Sequence, residues 1–279
     1  MIAFHRSLKT PRRLVVGLLV FGAACHRHRL ESPVPVSPAP ASAAPAKAAI
    51  TSAPSLISAM HAEYPDWYRT LTFKQKTTLV APSGGEIHQT WYEAASLPGL
   101  LRIDSDLASK SGTLFARDSI FVFSQGKQVS AQAGLNELLV LGFDAYRQSP
   151  ARTEAQLRSL GFDLARFHDD VWQGKPVFVV GALRGDTASK QFWIDKATLL
   201  FVRVLERGSQ GRVDIRFNKY QRAGAGWVAT EVVQLVNGTR RLLEEYTDVR
   251  ANVPLPDAMF EPKQWATVRH WSVPRSSRY

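Results

Sequence analysis

Few side chains in this sequence are of types that do chemistry, and they are scattered. Cys25 is the sole cysteine, so its thiol has no partner in the chain for a disulfide or a thiolate metal site. His168-Asp169-Asp170 is the one dense His/Asp cluster, of the kind that serves acid–base or metal chemistry, but it also fits the polar face of a helix or turn. Glu244-Glu245 pairs two carboxylates, yet neighbours on a strand point to opposite faces and cannot work on one bond. His26 and His28 suit a weak metal pair or simply a polar segment, and His88 falls on a predicted strand. H-E-x-x-H, G-x-S-x-G and P-loop patterns do not occur. On this reading the chain is not an enzyme: no catalytic residue, metal site or cofactor is assigned.

The thiol of Cys25 has a setting of its own. It ends the uncharged apolar run Leu14–Cys25, with Arg6, Lys9, Arg12 and Arg13 upstream and a polar Pro/Ala/Ser tract downstream. That is the layout of a secretory signal, and the small residues Gly22-Ala23-Ala24 before Cys25 resemble a bacterial lipobox, with Gly22 where leucine is usual. The resemblance implies cleavage before Cys25 and acylation of that cysteine. The competing readings are a plain cleaved signal, a membrane helix and a buried cysteine. About 11 apolar residues fall short of the roughly 20 that a bilayer core requires, and the next 30 or so residues cannot pack around a core cysteine.

These observations divide the chain. Residues 1–24 are expected to be a signal peptide, and 25–54 a lipidated cysteine with a tether whose prolines stand at 33, 35, 38, 40, 45 and 54. Residues 55–265 are the folded domain, and 266–279 a basic tail carrying Arg269, Arg275 and Arg278. The net charge is +11, of which four charges precede Cys25. The remainder is dispersed and suits a solvated surface or anionic lipid headgroups better than nucleic acid, which would call for a basic cluster interleaved with aromatics.

Within the domain, Leu56, Ile57, Met60 and Tyr64 follow helical spacing from Ser55 to Tyr64, and Pro65 stops them. Alternation then predicts strands over 71–79, 86–94, 100–104 and two within 113–123, after which 125–127 turns the chain into 128–131. Gly134–Arg147 and Thr153–Leu160 return to helical period, and Leu164–Val171 reads as a further helix. Strands resume at 176–183, 190–194, 199–206, 211–218, 226–235 and 240–249. About ten or eleven strands cannot stay flat. The expected class is α+β: a strongly curved antiparallel sheet, an unclosed half-barrel, with an N-terminal helix and a helical insertion as a lid.

The ordered motifs resemble the LolA/LolB superfamily of lipoprotein carriers and receptors. They are Leu71-Thr72-Phe73-Lys74-Gln75, Pro98-Gly99-Leu100-Leu101-Arg102-Ile103-Asp104, Ile120–Lys127, Phe192-Trp193-Ile194-Asp195 with 199–204, and Met259-Phe260-Glu261-Pro262. The resemblance implies a hydrophobic cavity between sheet and helices that takes acyl chains of lipoproteins or another lipid. Leu97 stands where LolA proper has a basic residue that helps close the lid. By residue type and spacing, the expected inward positions are Leu71, Phe73, Trp91, Leu101, Ile103, Phe121, Phe178, Trp193, Phe201, Ile215 and Phe217, with ordinary core packing as the alternative at each. The implied partners are an acyl chain, the membrane through the anchor, and an envelope protein if the fold acts as an interaction module. His26 after Cys25 points to the outer membrane by resemblance, because aspartate there would favour inner-membrane retention.

Overall fold

A computed structural model describes residues 49–81 and 83–272. The signal, Cys25 and most of the tether lie outside the described residues, as do 273–279.

Helix α1 (Ala53–Glu63) begins where Ser52 caps it: the Ser52 hydroxyl accepts from the Ser55 N–H, and the Ser55 hydroxyl accepts in turn from the Ser52 N–H. Pro54 fits the first turn, and Leu56, Ile57 and Met60 are buried. Six strands follow: β1 (Thr70–Val80), β2 (Glu86–Ser96), β3 (Leu100–Asp106), β4 (Ser111–Ala116), β5 (Ser119–Ser124) and β6 (Lys127–Ala133). Next come α2 (Glu137–Gly142), a 3-10 turn at Asp144–Tyr146, and α3 (Pro150–Ser159). Seven more strands complete the sheet: β7 (Phe167–Trp172), β8 (Lys175–Val180), β9 (Gln191–Asp195), β10 (Phe201–Gly208), β11 (Gly211–Ala223), β12 (Gly226–Val236) and β13 (Thr239–Ala251).

All thirteen form one sheet in the order β6-β5-β4-β3-β2-β1-β13-β12-β11-β10-β9-β8-β7, every pair antiparallel. The first and last strands are neighbours at the centre, and the lid segment leaves from one free edge, β6, to return at the other, β7. The sheet is an unclosed half-barrel, the expected class, with thirteen strands where the sequence predicts about ten or eleven.

Two local expectations are corrected. Leu164–Val171 is not helical: most of it is β7, hairpinned to β8 through Gln173 and Gly174, both at positive φ. Its residues alternate, with Phe167 opposite Val180 and His168 opposite Val179. Gly134–Arg147 is not one helix. Asn136 caps α2 by accepting from the N–H groups of Leu138 and Leu139, and the helix stops at Gly142, beyond which Phe143 leaves the helical region at φ −137°. Glycine is a poor helix former, and the Asp144 carboxylate just beyond it is held by the Gly99 N–H at 3.0 Å.

The inner face of the sheet packs on the helices, in a core holding Leu56, Leu71, Phe73, Phe192, Phe201 and Val204. The outer face carries two smaller clusters. One, of Leu114, Phe123, Met259, Phe260 and Trp265, is covered by the segment after β13. The other holds Val177, Val179, Trp193 and Leu205.

Candidate functional site

The candidate site is the inner face and its helical lid. Leu71, Phe73, Leu101, Phe178, Phe201, Ile215 and Phe217 are all in the inner core, and Ile103 packs against it half-buried. Trp91, half-buried on β2, shares the register position of Gln75 and donates its indole N–H to Gln89. Phe121 and Trp193 are corrections to the expected inward set. Phe121 stands opposite Leu114 and joins the Trp265 cluster, and Trp193 stands opposite Val179 and packs with Trp172. Both are one residue out of phase with the inner positions, and in a strand one residue is a change of face.

The lid is tied down at three places. Tyr146 stacks on Trp67 at 4.3 Å, while its hydroxyl donates to the Leu199 carbonyl and accepts from the Phe201 N–H. Lys190 bridges Glu137 at the start of α2 to Glu206 on β10. Asp144 accepts from Gly99, whose φ of +85° is one that glycine adopts freely. The other Asp144 oxygen is buried without a hydrogen bond, and burial, with only the Gly99 N–H and more distant charge opposing it, raises this carboxyl to about 7. Between lid and sheet, beside Gly99, Phe115 and Leu139, lies a cavity of about 10 Å³, room for about one water molecule.

Further down the inner face, residue patterning missed a polar group. Glu93 lies opposite Phe73 and Ile103, and Glu244 lies opposite Thr77 with Gln75 and Tyr246 beside it. The Tyr246 hydroxyl donates to Glu244 at 2.9 Å, and the Tyr246 ring stacks on Phe73 at 4.4 Å. Burial pushes Glu244 up to about 7. Burial and then the charge of Glu244 push Glu93 well above the usual carboxylate range. The signal was present in the sequence: Glu93 alternates with Trp91 and Ala95, so a carboxylate shares the face of an aromatic residue.

The clusters that first drew attention are absorbed elsewhere. His168 bonds the Ala182 carbonyl at 3.1 Å, Asp169 pairs with Lys196 at 2.8 Å, and Asp170 accepts from the Val171 N–H. Glu245 stands opposite Lys76 on the outer side, so the two neighbouring glutamates do point apart. Among the described residues, no group of three His, Cys, Asp or Glu is placed to hold a metal ion.

No family model and no curated protein matches this sequence. Solved structures do match. A DUF1329 family protein from Desulfovibrio piger superposes with a TM-score of 0.50 at 13% identity, over 75% of this chain and 95% of that one. A domain assigned to outer membrane lipoprotein sorting, from Vibrio parahaemolyticus, gives 0.50 at 12%, over 76% and 97%. A LolA superfamily protein from Nitrosomonas europaea gives 0.47 at 14%, over 76% and 98%. The fold is that of the first two of these proteins. At these identities the likeness concerns the fold, and the role of the inner face follows from its own residues.

Proposed function

We propose that this chain is an exported, lipid-anchored protein of the bacterial cell envelope that binds an acyl chain, of a lipidated protein or another amphiphile, on the inner face of its half-barrel. The observation that carries this reading is the inner face itself: a continuous apolar surface of sheet residues beneath short helices held by a few polar ties. Each methylene moved there from water contributes about 0.8 kcal/mol, so one long chain supplies several kcal/mol. With a cavity of about 10 Å³ beneath it, the lid must move for a chain to enter. In this reading Cys25 is acylated as residues 1–24 are removed, residues 25–54 tether the domain, and the anchor sits in the outer membrane facing the periplasm. Lipoprotein sorting, the role assigned to the Vibrio domain, is the process this chemistry fits. Among the described residues no helix is long and apolar enough to cross a membrane.

One observation favours a second reading. Phe192, Phe201, Leu56 and Leu71 already fill the inner face, as suits a non-catalytic sensory or protein-interaction module. Native mass spectrometry with lipid extraction on protein purified from its membrane separates the two. A co-purified amphiphile, or uptake of an added one, supports binding. An empty protein that takes up no acyl probe supports the interaction module.

A further inference from the structure

Glu93 is 5% exposed, and among the described residues its carboxylate receives no hydrogen bond and no ion pair. Every other carboxylate buried as deeply on the sheet has such a partner: Asp104 has Arg102 and His270, Asp214 has Arg203 and Arg216, Glu206 has Lys190, and Asp195 caps the turn after β9. Leaving a polar group of this kind unpaired in an apolar setting costs free energy. The register aims Glu93 inward, on the face of Phe73 and Ile103, whereas its neighbour Ala94 belongs to the outer cluster.

The titratable groups that act on Glu93 from that face add negative potential or none. Glu244 has no ion-pair partner among the described residues and accepts only from Tyr246 and Gln75. Tyr246 and Tyr220, held protonated chiefly by burial, are neutral donors, and the Tyr220 hydroxyl is already engaged by the Phe201 carbonyl. In a chain of net charge +11, Arg102, Arg203 and Arg216 lie with the outer clusters, and Lys190, on the inner side, is already paired with Glu137 and Glu206. Around Glu93 the inner face therefore combines apolar walls, one unpaired carboxylate and a second nearby, while Lys190 is already paired at β10.

We propose that Glu93 is the binding partner of a ligand ammonium group, so that the inner face selects cationic amphiphiles, the alkyl chain lying along Phe73, Ile103 and Tyr246 with Glu244 reinforcing the field. This rests on the acyl-binding reading and narrows its ligand class. An ammonium beside Glu93 supplies the charge-assisted hydrogen bond that the fold itself withholds.

The test is displacement of the neutral fluorophore N-phenyl-1-naphthylamine from full-length protein by dodecylamine, dodecanol and dodecanoate at neutral pH. The expected order is amine, alcohol, acid, with the amine effective at roughly ten-fold lower concentration than the alcohol. Glu93→Gln, nearly isosteric and expected to melt no lower than the parent, should bring amine and alcohol level while leaving the alcohol unchanged. Glu244→Gln should narrow the gap less. Equal displacement by all three, or an amine preference that survives Glu93→Gln, overturns the proposal while acyl binding stands. Failure of all three to displace the fluorophore overturns both.

Discussion

Two regions on opposite faces of this one sheet, one around Arg102 and Arg203 and one around Glu93 and Glu244, treat charge in opposite ways. On the outer face, Arg102 donates two hydrogen bonds of 2.8 Å to Asp104 and lies 3.9 Å from the Trp265 ring, and His270 reaches the same carboxylate at 3.1 Å. Arg203 likewise makes two 2.8 Å bonds to Asp214, with Arg216 as a second donor and Trp172 beneath the guanidinium. Burial pushes Asp104 and Asp214 up, yet His270 and Arg102 in one case and the two arginines in the other outweigh it and hold both carboxyls below the ordinary range. On the inner side Glu206 has Lys190, but Glu93 and Glu244 on the sheet and Asp144 in the lid have no bonded cation, and burial leaves all three raised. Balanced charge marks the face that holds the fold together. Imbalance marks the region around Glu93 and Glu244, where the proposed ligand would supply the missing charge.

The largest effect should come from the structural face. Trp265 is 2% exposed, stacks on Phe123 at 4.2 Å, covers Arg102 and donates its indole N–H to Lys110. Trp265→Ala should cost about 3–5 kcal/mol in urea unfolding, the usual range for removing a buried aromatic residue. Gly112 makes the same point from below, because a Cβ there would lie 2.1 Å from the Ile103 carbonyl oxygen and 3.0 Å from the Trp265 ring. If Trp265→Ala unfolds within about 1 kcal/mol of the parent, the segment after β13 is an appendage and not the cover of that face.

A matched pair of substitutions tests the contrast by sign. Asp104→Asn leaves the Arg102 guanidinium, with a side chain 4% exposed, without its counter-charge, and should destabilise by about 3–5 kcal/mol. Glu93→Gln removes a carboxyl whose ionisation the fold opposes and should stabilise by roughly 1–2 kcal/mol at neutral pH. Two losses of similar size would mean that Glu93 is held in the fold as firmly as Asp104, and the distinction between the faces would go.

How much of this was legible in the sequence follows the same division. Period identified nearly every strand, because Leu71-x-Phe73-x-Gln75 or Val213-x-Ile215-x-Phe217 presents one buried side at every second residue. Face was harder. Phe121 and Trp193 are as apolar as Phe73, but the sheet is covered on both sides, by the lid within and by Trp265 or Trp172 without, so hydrophobicity alone cannot say which core a residue joins. β7 was missed because His168, Asp169 and Asp170 offer little apolar contrast along an edge strand. Glu93 and Glu244 were missed as a group because their proximity depends on β1 lying between β2 and β13, which no local pattern encodes.

The pH dependence sharpens the comparison. The folded-state affinities of Glu244 and Asp144 for a proton are raised to about 7. Their contribution to stability is complete below the ordinary carboxylate range and is lost as pH rises through about 7. Asp104 and Asp214 run the other way: their contribution is present above that range and is lost as pH falls below it. The melting temperature should therefore decline between about pH 5 and about pH 8 through the inner face. In the double variant Asp144→Asn/Glu244→Gln that decline should flatten, while the loss at acid pH remains. An unchanged slope between the same two pH values would show that these carboxyls titrate as if exposed.

The smallest effect separates two tryptophans of similar sequence setting. Trp91 lies on the inner face beside the Glu93 and Tyr246 positions, and Trp193 lies on the outer face against Trp172 with Arg203 4.7 Å from its ring. Replacing Trp91 with leucine should raise the concentration of dodecanol needed to displace the fluorophore by about three- to ten-fold, the cost of part of one aromatic contact. Trp193→Leu should lower stability through its lost contacts with Trp172 and Arg203, and leave displacement where it was. Each result requires the other. A chain on the inner face should register the loss of Trp91 and be indifferent to Trp193, whereas probe binding that depends on Trp193 would put the ligand on the charge-balanced face and reverse the assignment of roles.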